Sequence, residues 1–242
     1  MIHFAIPALL FAHLTIAQVI IIAEPKTNVT ILSPKSICTF DTPADGVKLD
    51  RKELDAAVGE LKGSITDLQF GALSAALSHS KIKDKKEAAM FMAHIWHNSA
   101  GLKEKRELYC MVDLERCKEP YKGALPGRVY YGRGYMSLAT EGNYREASQA
   151  LFKDDRLLKN PELVAEDECI SWRVAIFFWE RNVQDAAKSG KFGETTKRVN
   201  SAECASGDKA ANDIARRRFG YYKVFLKAFG VKEEEAKEEG CY

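Results

Sequence analysis

The sequence predicts a mainly α-helical fold, on three observations. From Lys48 onward, apolar residues recur at helical spacing in "LDRKELDAAVGELKG" and "SITDLQFGALSAALSHS", where Leu68, Leu73 and Leu77 fall close to one stripe. The segment "DECISWRVAIFFWERNV" is apolar on nearly all sides, which marks a central buried helix. A single interval, residues 109–140, breaks the pattern with Pro120, Gly123, Pro126, Gly127, Gly132 and Gly134. Its "RVYYGRGYMSL" is the one β candidate and predicts an irregular loop with a short strand or hairpin.

The remaining elements follow in order. A helix from about Lys85 to His97 is charged at its start and apolar in its second half, so that half is expected to be buried. Helices resume at "EGNYREASQALF". The last helix, near Asp208 to Phe229, sets Ile214, Tyr221, Tyr222, Phe225 and Phe229 at i, i+3/i+4 intervals. The run "KEEEAKEEG" reads as a solvated acidic tail, and no internal repeat is present. The expected organisation is a signal peptide over 1–23, a linker or N-terminal arm over 24–47, one domain over 48–232 and the acidic tail over 233–242.

Composition narrows the function classes. With 36 basic and 34 acidic residues the net charge is +2, so no broad field exists to recruit nucleic acid or anionic membrane. The tight basic cluster, Arg216-Arg217-Arg218, reads as a solvated helix face with one functional member. The opening 23 residues carry no Lys, Arg, Asp or Glu, with small residues for cleavage near Ala17 or Ala23, the pattern of a secretory signal. The same run is long enough to span a bilayer, so an uncleaved anchor is the alternative.

Six cysteines agree with export to an oxidising compartment. Cys110 and Cys117 bracket a short loop and make a natural local pair. Cys204 is the candidate partner for Cys241, which leaves Cys38 with Cys169. No C-x-x-C occurs and the five His show no ligand spacing to the Cys, so neither a metal nor a cofactor is expected. Asn28-Val29-Thr30 is the sole acceptor sequon for an N-linked glycan.

The chemistry concentrates in "FMAHIWHNSAGLKEKRELYC". An apolar helical run ends in small polar residues and a charged segment, where sites that cut sugars place one carboxylate and then another. The second is available as Glu107 or Glu104; at the first stands Asn98.

The blocks "FMAHIWHNSAGL", "YYGRGYMSLATEGNYREASQAL", "LLKNPELVAED", "SWRVAIFFW" and "RVNSAEC…RRRFGYYKVFL" resemble family 19 glycoside hydrolases, the lysozyme-like chitinases, in order and spacing. The resemblance spans roughly residues 66 to 230. It implies a two-lobed, lysozyme-like domain, mainly α with a short hairpin, whose cleft holds β-1,4-linked N-acetylglucosamine polymer. It also implies endo-cleavage with inversion. Such an enzyme needs one protonated carboxylic acid for the departing oxygen and a carboxylate across the sugar, about 6.5–9.5 Å away, to activate water.

Aligned without a gap, the family's acid position is Asn98 and its base position, nine residues on, is Glu107. The glutamine position that touches substrate is Ser137, and the hydroxyl position that helps hold the attacking water is Ala139. Tyr131, Arg133, Asn143, Asn200 and Arg218 match the family's pattern, although the glycines after Asn200 are replaced by Ser201 and Ala202. The bland readings are a helix-surface ion pair for Arg218, a helix cap for Asn143 and a solvated loop carboxylate for Glu104. An amide cannot give up a proton, and losing general acid catalysis typically costs about 10²–10⁴-fold in rate.

The expectation is therefore a secreted, monomeric chitinase-like protein that binds chitin or its oligomers and hydrolyses them poorly or not at all. The alternatives are an active endochitinase of carbohydrate and cell-wall catabolism with Glu104 as displaced acid, and a scaffold reused for protein interaction.

Overall fold

The computed structural model describes residues 38–205 and 207–242. The expected signal segment, the sequon at Asn28 and most of the N-terminal arm lie outside the described residues. Twelve α-helices run through the rest. The first three are α1 (Arg51–Glu60), α2 (Asp67–Ser78) and α3 (Lys85–Asn98). Each begins where the sequence supplies an oxygen for the unpaired N–H groups of the first turn. Thr66 accepts from the Gln69 amide at 3.2 Å while the Gln69 side chain answers the Thr66 N–H at 2.9 Å, a reciprocal box. Asp84 opens α3 by accepting from Glu87 N at 2.8 Å.

The middle of the chain contributes short helices: α4 (Leu108–Val112), α5 (Leu114–Lys118), α6 (Glu141–Phe152), α7 (Arg156–Lys159) and α8 (Leu163–Glu166). Then come α9 (Glu168–Asn182), α10 (Gln184–Ala187), α11 (Phe192–Val199), a 3₁₀ turn at Ser201–Cys204 and α12 (Lys209–Ala228).

Two hydrophobic clusters give the two lobes, and α9 belongs to both. Its Trp172, Ala175, Ile176 and Trp179 enter the larger core with α1, α2, α3 and α12. Its Ile170 and Val174 enter the smaller one with Tyr130, Tyr144, Leu157 and Val164. A helix apolar on all sides is satisfied only between two cores, as its sequence predicts. The half of α3 from Ala88 to Trp96 is wholly buried; Phe91 meets Trp179 edge-on at 5.6 Å and Trp96 meets Phe225 at 6.1 Å. Burying one such aromatic removes about 150–250 Å² from water, roughly 4–6 kcal/mol of gross stabilisation.

The expected hairpin around "RVYYGRGYMSL" is reduced to isolated bridges. Arg133 and Leu138 exchange both backbone hydrogen bonds, at 3.0 and 2.8 Å. Positive φ at Gly134, Ser137 and Thr140 then turns the chain too sharply for a continuing ladder.

The acidic tail keeps its carboxylates near solvent, yet its backbone is docked: Lys237 O accepts from Phe192 N at 2.7 Å. At Gly193 an added Cβ would fall 2.4 Å from Glu238 O, so glycine is what admits the tail there. The disulfides pair as Cys38–Cys169, Cys110–Cys117 and Cys204–Cys241. Among the described residues no helix is long and apolar enough to cross a membrane.

Candidate active-site cleft

Asn98 is the last residue of α3, and the turn behind it is built to stop the helix abruptly. Ser99 Oγ donates to Ile95 O at 2.7 Å and accepts from Leu102 N at 2.9 Å. Ala100, Gly101 and Leu102 then take positive φ in succession, a reversal rare outside glycine. The reversal wraps the Trp96 ring, which lies 3.1 Å from where a Cβ on Gly101 would stand.

The chain returns at Glu107. Its backbone N–H bonds Gly132 O at 2.8 Å, and its carboxylate accepts from Gly132 N at 3.2 Å and from Tyr121 Oη at 3.3 Å. A Cβ on Gly132 would fall 2.3 Å from Ser137 Oγ and 3.3 Å from Glu107 Oε2, so glycine lets these groups share one wall without displacing either side chain. Burial and the adjacent Glu107 charge together raise the Tyr121 hydroxyl above its ordinary value.

Asn98, Glu104, Glu107 and Ser137 line a single cavity of about 290 Å³, with His97 at its edge. Among the described residues the Asn98 amide makes one hydrogen bond, from Nδ2 to Met136 Sδ at 3.8 Å. Asn98 Nδ2 can donate a hydrogen bond into this cavity, and an amide has no acidic proton to give to a leaving group.

The other predicted positions lie outside this lining. Arg133 is buried, stacked 3.5 Å over the Tyr131 ring and bonded to Glu162 at 2.9 and 2.5 Å. Burial pushes the Glu162 carboxyl up, but the guanidiniums of Arg133 and Arg106 outweigh it and hold it below the usual range. Tyr131 and Arg133 thus form the frame behind Gly132. Ala139 presents a carbonyl that accepts from Asn143 Nδ2 at 2.8 Å, and Asn143 itself is exposed at the start of α6.

Arg218 is fully committed inside the protein. Its Nε and Nη2 donate to the two Glu203 oxygens at 2.6 and 2.7 Å, and both side chains are more than nine-tenths buried. Asn200 Nδ2 donates to the same carboxylate at 2.8 Å. Arg218 Nη1 also faces His94 Nδ1 at 3.4 Å, while His94 Nε2 lies 2.8 Å from Thr195 Oγ1, which donates to Phe192 O. Only a neutral imidazole protonated at Nε2 satisfies this chain. Burial and the Arg218 charge accordingly hold His94 well below its ordinary value. His97, at the cavity edge, is lowered to about 4 by burial first and then Arg218, against the opposing pull of Glu203.

Glu203 is the member that sequence reading missed. Its one signal is the "NSAE" spacing, which flags the start of a helical turn rather than an arginine partner fifteen residues away.

A family model described as class I chitinase matches residues 67–189, which include Asn98, Glu107 and Ser137. Endochitinase CHI of Arabidopsis thaliana is 35% identical over 157 residues, covering 61% of this chain and 53% of that protein. Acidic endochitinase SP2 of Beta vulgaris is 34% identical over 189 residues, covering 73% and 64%. A protein of Arabidopsis thaliana named as an inactive endochitinase is 33% identical over 155 residues, covering 62% and 52%. The chain thus spans about half to two-thirds of the length of these relatives.

Two solved structures share the fold. Chitinase C from Streptomyces griseus superposes with a TM-score of 0.59 at 23% identity, over 76% of this chain and 79% of that one. The class IV chitinase from Zea mays gives 0.52 at 23%, over 83% and 90%. By the family match, the chain belongs to glycoside hydrolase family 19, the family whose model is described as class I chitinase.

Proposed function

We propose that this protein is a secreted chitin-binding member of its family in which hydrolysis is lost or strongly reduced. The observation that carries the reading is the amide of Asn98 facing the same cavity as Glu107. Inverting hydrolysis requires the first of these two positions to deliver a proton while the second activates water. With Glu107 alone, the leaving oxygen departs unprotonated, at a cost of about 10²–10⁴-fold in rate. In the family's pattern the position of Ala139 carries a hydroxyl for the water, which alanine lacks. The three disulfides support an oxidising destination.

A second reading has its own support: Glu104 lines the same cavity and is the only other carboxylate on its wall among the described residues. It could act as a displaced acid in a working endochitinase. Chito-oligosaccharide hydrolysis at high protein concentration separates the two. The wild type is expected to be silent, and Asn98→Glu combined with Ser137→Gln and Ala139→Thr is expected to cleave measurably. Robust wild-type turnover that disappears in Glu104→Gln would establish the second reading instead.

A further inference from the structure

Beside the cleft lies a cavity of about 460 Å³ that shares His97 and Ala100 with it. Volumes of this size hold small ligands. Its charged lining is one-sided: Lys62, Lys103 and Arg217 contribute to it, and no Asp or Glu does. Whereas the neighbouring Arg216 and Arg218 have carboxylate partners, none of these three has one among the described residues. Their side chains make no hydrogen bond there either. Other basic side chains of this protein also lack an ion pair, but these three share one concavity that no Asp or Glu among the described residues lines.

Part of this has a structural explanation. Lys62 and Lys103 follow the C-terminal ends of α1 and α3, where cations offset the helix dipole. Arg217 does not: it lies within α12, one turn before Tyr221, whose ring also lines the cavity. Trp96 and Tyr221 supply apolar surface beside the charges. His97 adds no positive charge at neutral pH, because burial and Arg218 keep the imidazole neutral.

We propose that this cavity binds an oxyanion carried on a saccharide, a carboxylate or sulfate group, with the sugar chain running on into the adjoining cleft. The saccharide part rests on the cleft reading above; the anion site rests on Lys62, Lys103 and Arg217 alone.

The test is binding of three hexasaccharide probes to the full chain: neutral chitohexaose, hexagalacturonate and a sulfated chitohexaose. At least one charged probe is expected to bind about tenfold tighter than the neutral one, the order that three partly screened ion contacts supply. That preference should shrink sharply between low salt and 0.5 M salt. It should vanish in Lys62→Ala/Lys103→Ala/Arg217→Ala. A charge-matched control, Lys52→Ala/Lys159→Ala/Lys232→Ala, removes three other exposed lysines and should keep it.

Equal binding of charged and neutral probes, or equal loss in both triple variants, overturns the proposal. If neutral chitohexaose does not bind while a charged probe still binds through the three residues, the cleft reading fails and the anion site stands. If chitohexaose binds and charge adds nothing, the reverse holds.

Discussion

Arg216, Arg217 and Arg218 project about 100° apart around α12, and each meets a different environment. Arg216 pairs with Asp213 at 3.2 Å and lies 4.7 Å over the Tyr242 ring. Arg217 faces the cationic cavity, and Arg218 turns inward to Glu203. A sequence can flag such a cluster but cannot distribute it, because the partners lie on other elements. The distribution decides what each substitution measures. Arg218→Ala leaves a buried Glu203 without its cation, and breaking a buried pair in this way costs about 3–5 kcal/mol. The variant is therefore expected to be a folding variant first, with a lowered urea midpoint before any effect on sugar binding. Replacing the pair together, Arg218→Met with Glu203→Leu, should recover much of that loss. If Arg218→Ala unfolds at the wild-type urea concentration, the pair contributes little and the guanidinium is free to serve the cleft.

At the scale of elements, helices were legible wherever a cap and a period coincide. Thr66 to Gln69 and Asp84 to Glu87 announce α2 and α3, and the all-round apolarity of α9 announces a helix between two cores. The interval after Glu107 was less legible. Its hairpin depends on φ values at Gly134, Ser137 and Thr140 that no period records. Asn98, Glu107 and Ser137, named from the family resemblance, line one cavity although Ser137 lies far along the chain. Glu203 was not legible, since its role exists only through contact with α12. The tail shows the same division: its acidity was plain, and its docking depends on Gly193 and on Cys241. Releasing the tail by Cys204→Ser/Cys241→Ser opens a 37-residue loop. Loop entropy then predicts a loss of roughly 2–4 kcal/mol, readable as a lower midpoint in chemical denaturation. An unchanged midpoint would mean that the backbone bond from Phe192 and the tail's packing hold it alone.

For the whole molecule, the buried charge network ties stability to pH. His94 and His97 are both neutral in the folded chain, lowered from an ordinary value of 6.5, His97 to about 4. Unfolded, they charge as pH falls through about 6.5. Between about pH 6.5 and 4 the unfolded chain therefore binds more protons, so stability rises with pH across that window and falls on acidification. The carboxylates of Glu203 and Glu162 work in the same direction further down. Burial raises them, but their guanidinium partners more than compensate and hold both below 4.5. Their contribution is complete above the unfolded value and is lost as pH falls through the folded one. Between pH 7 and pH 5 the histidines dominate, and His97 accounts for about 1–2 kcal/mol after allowance for its partial exposure. His97→Gln keeps a polar group of similar reach without the titration. It should flatten the pH 7 to 5 decline in urea-unfolding free energy by that amount while leaving the steeper loss below pH 4.5. A decline identical to wild type would show that His97 charges as readily in the folded chain as in the unfolded one, and that its place between Arg218 and the cavity imposes no penalty on the imidazolium.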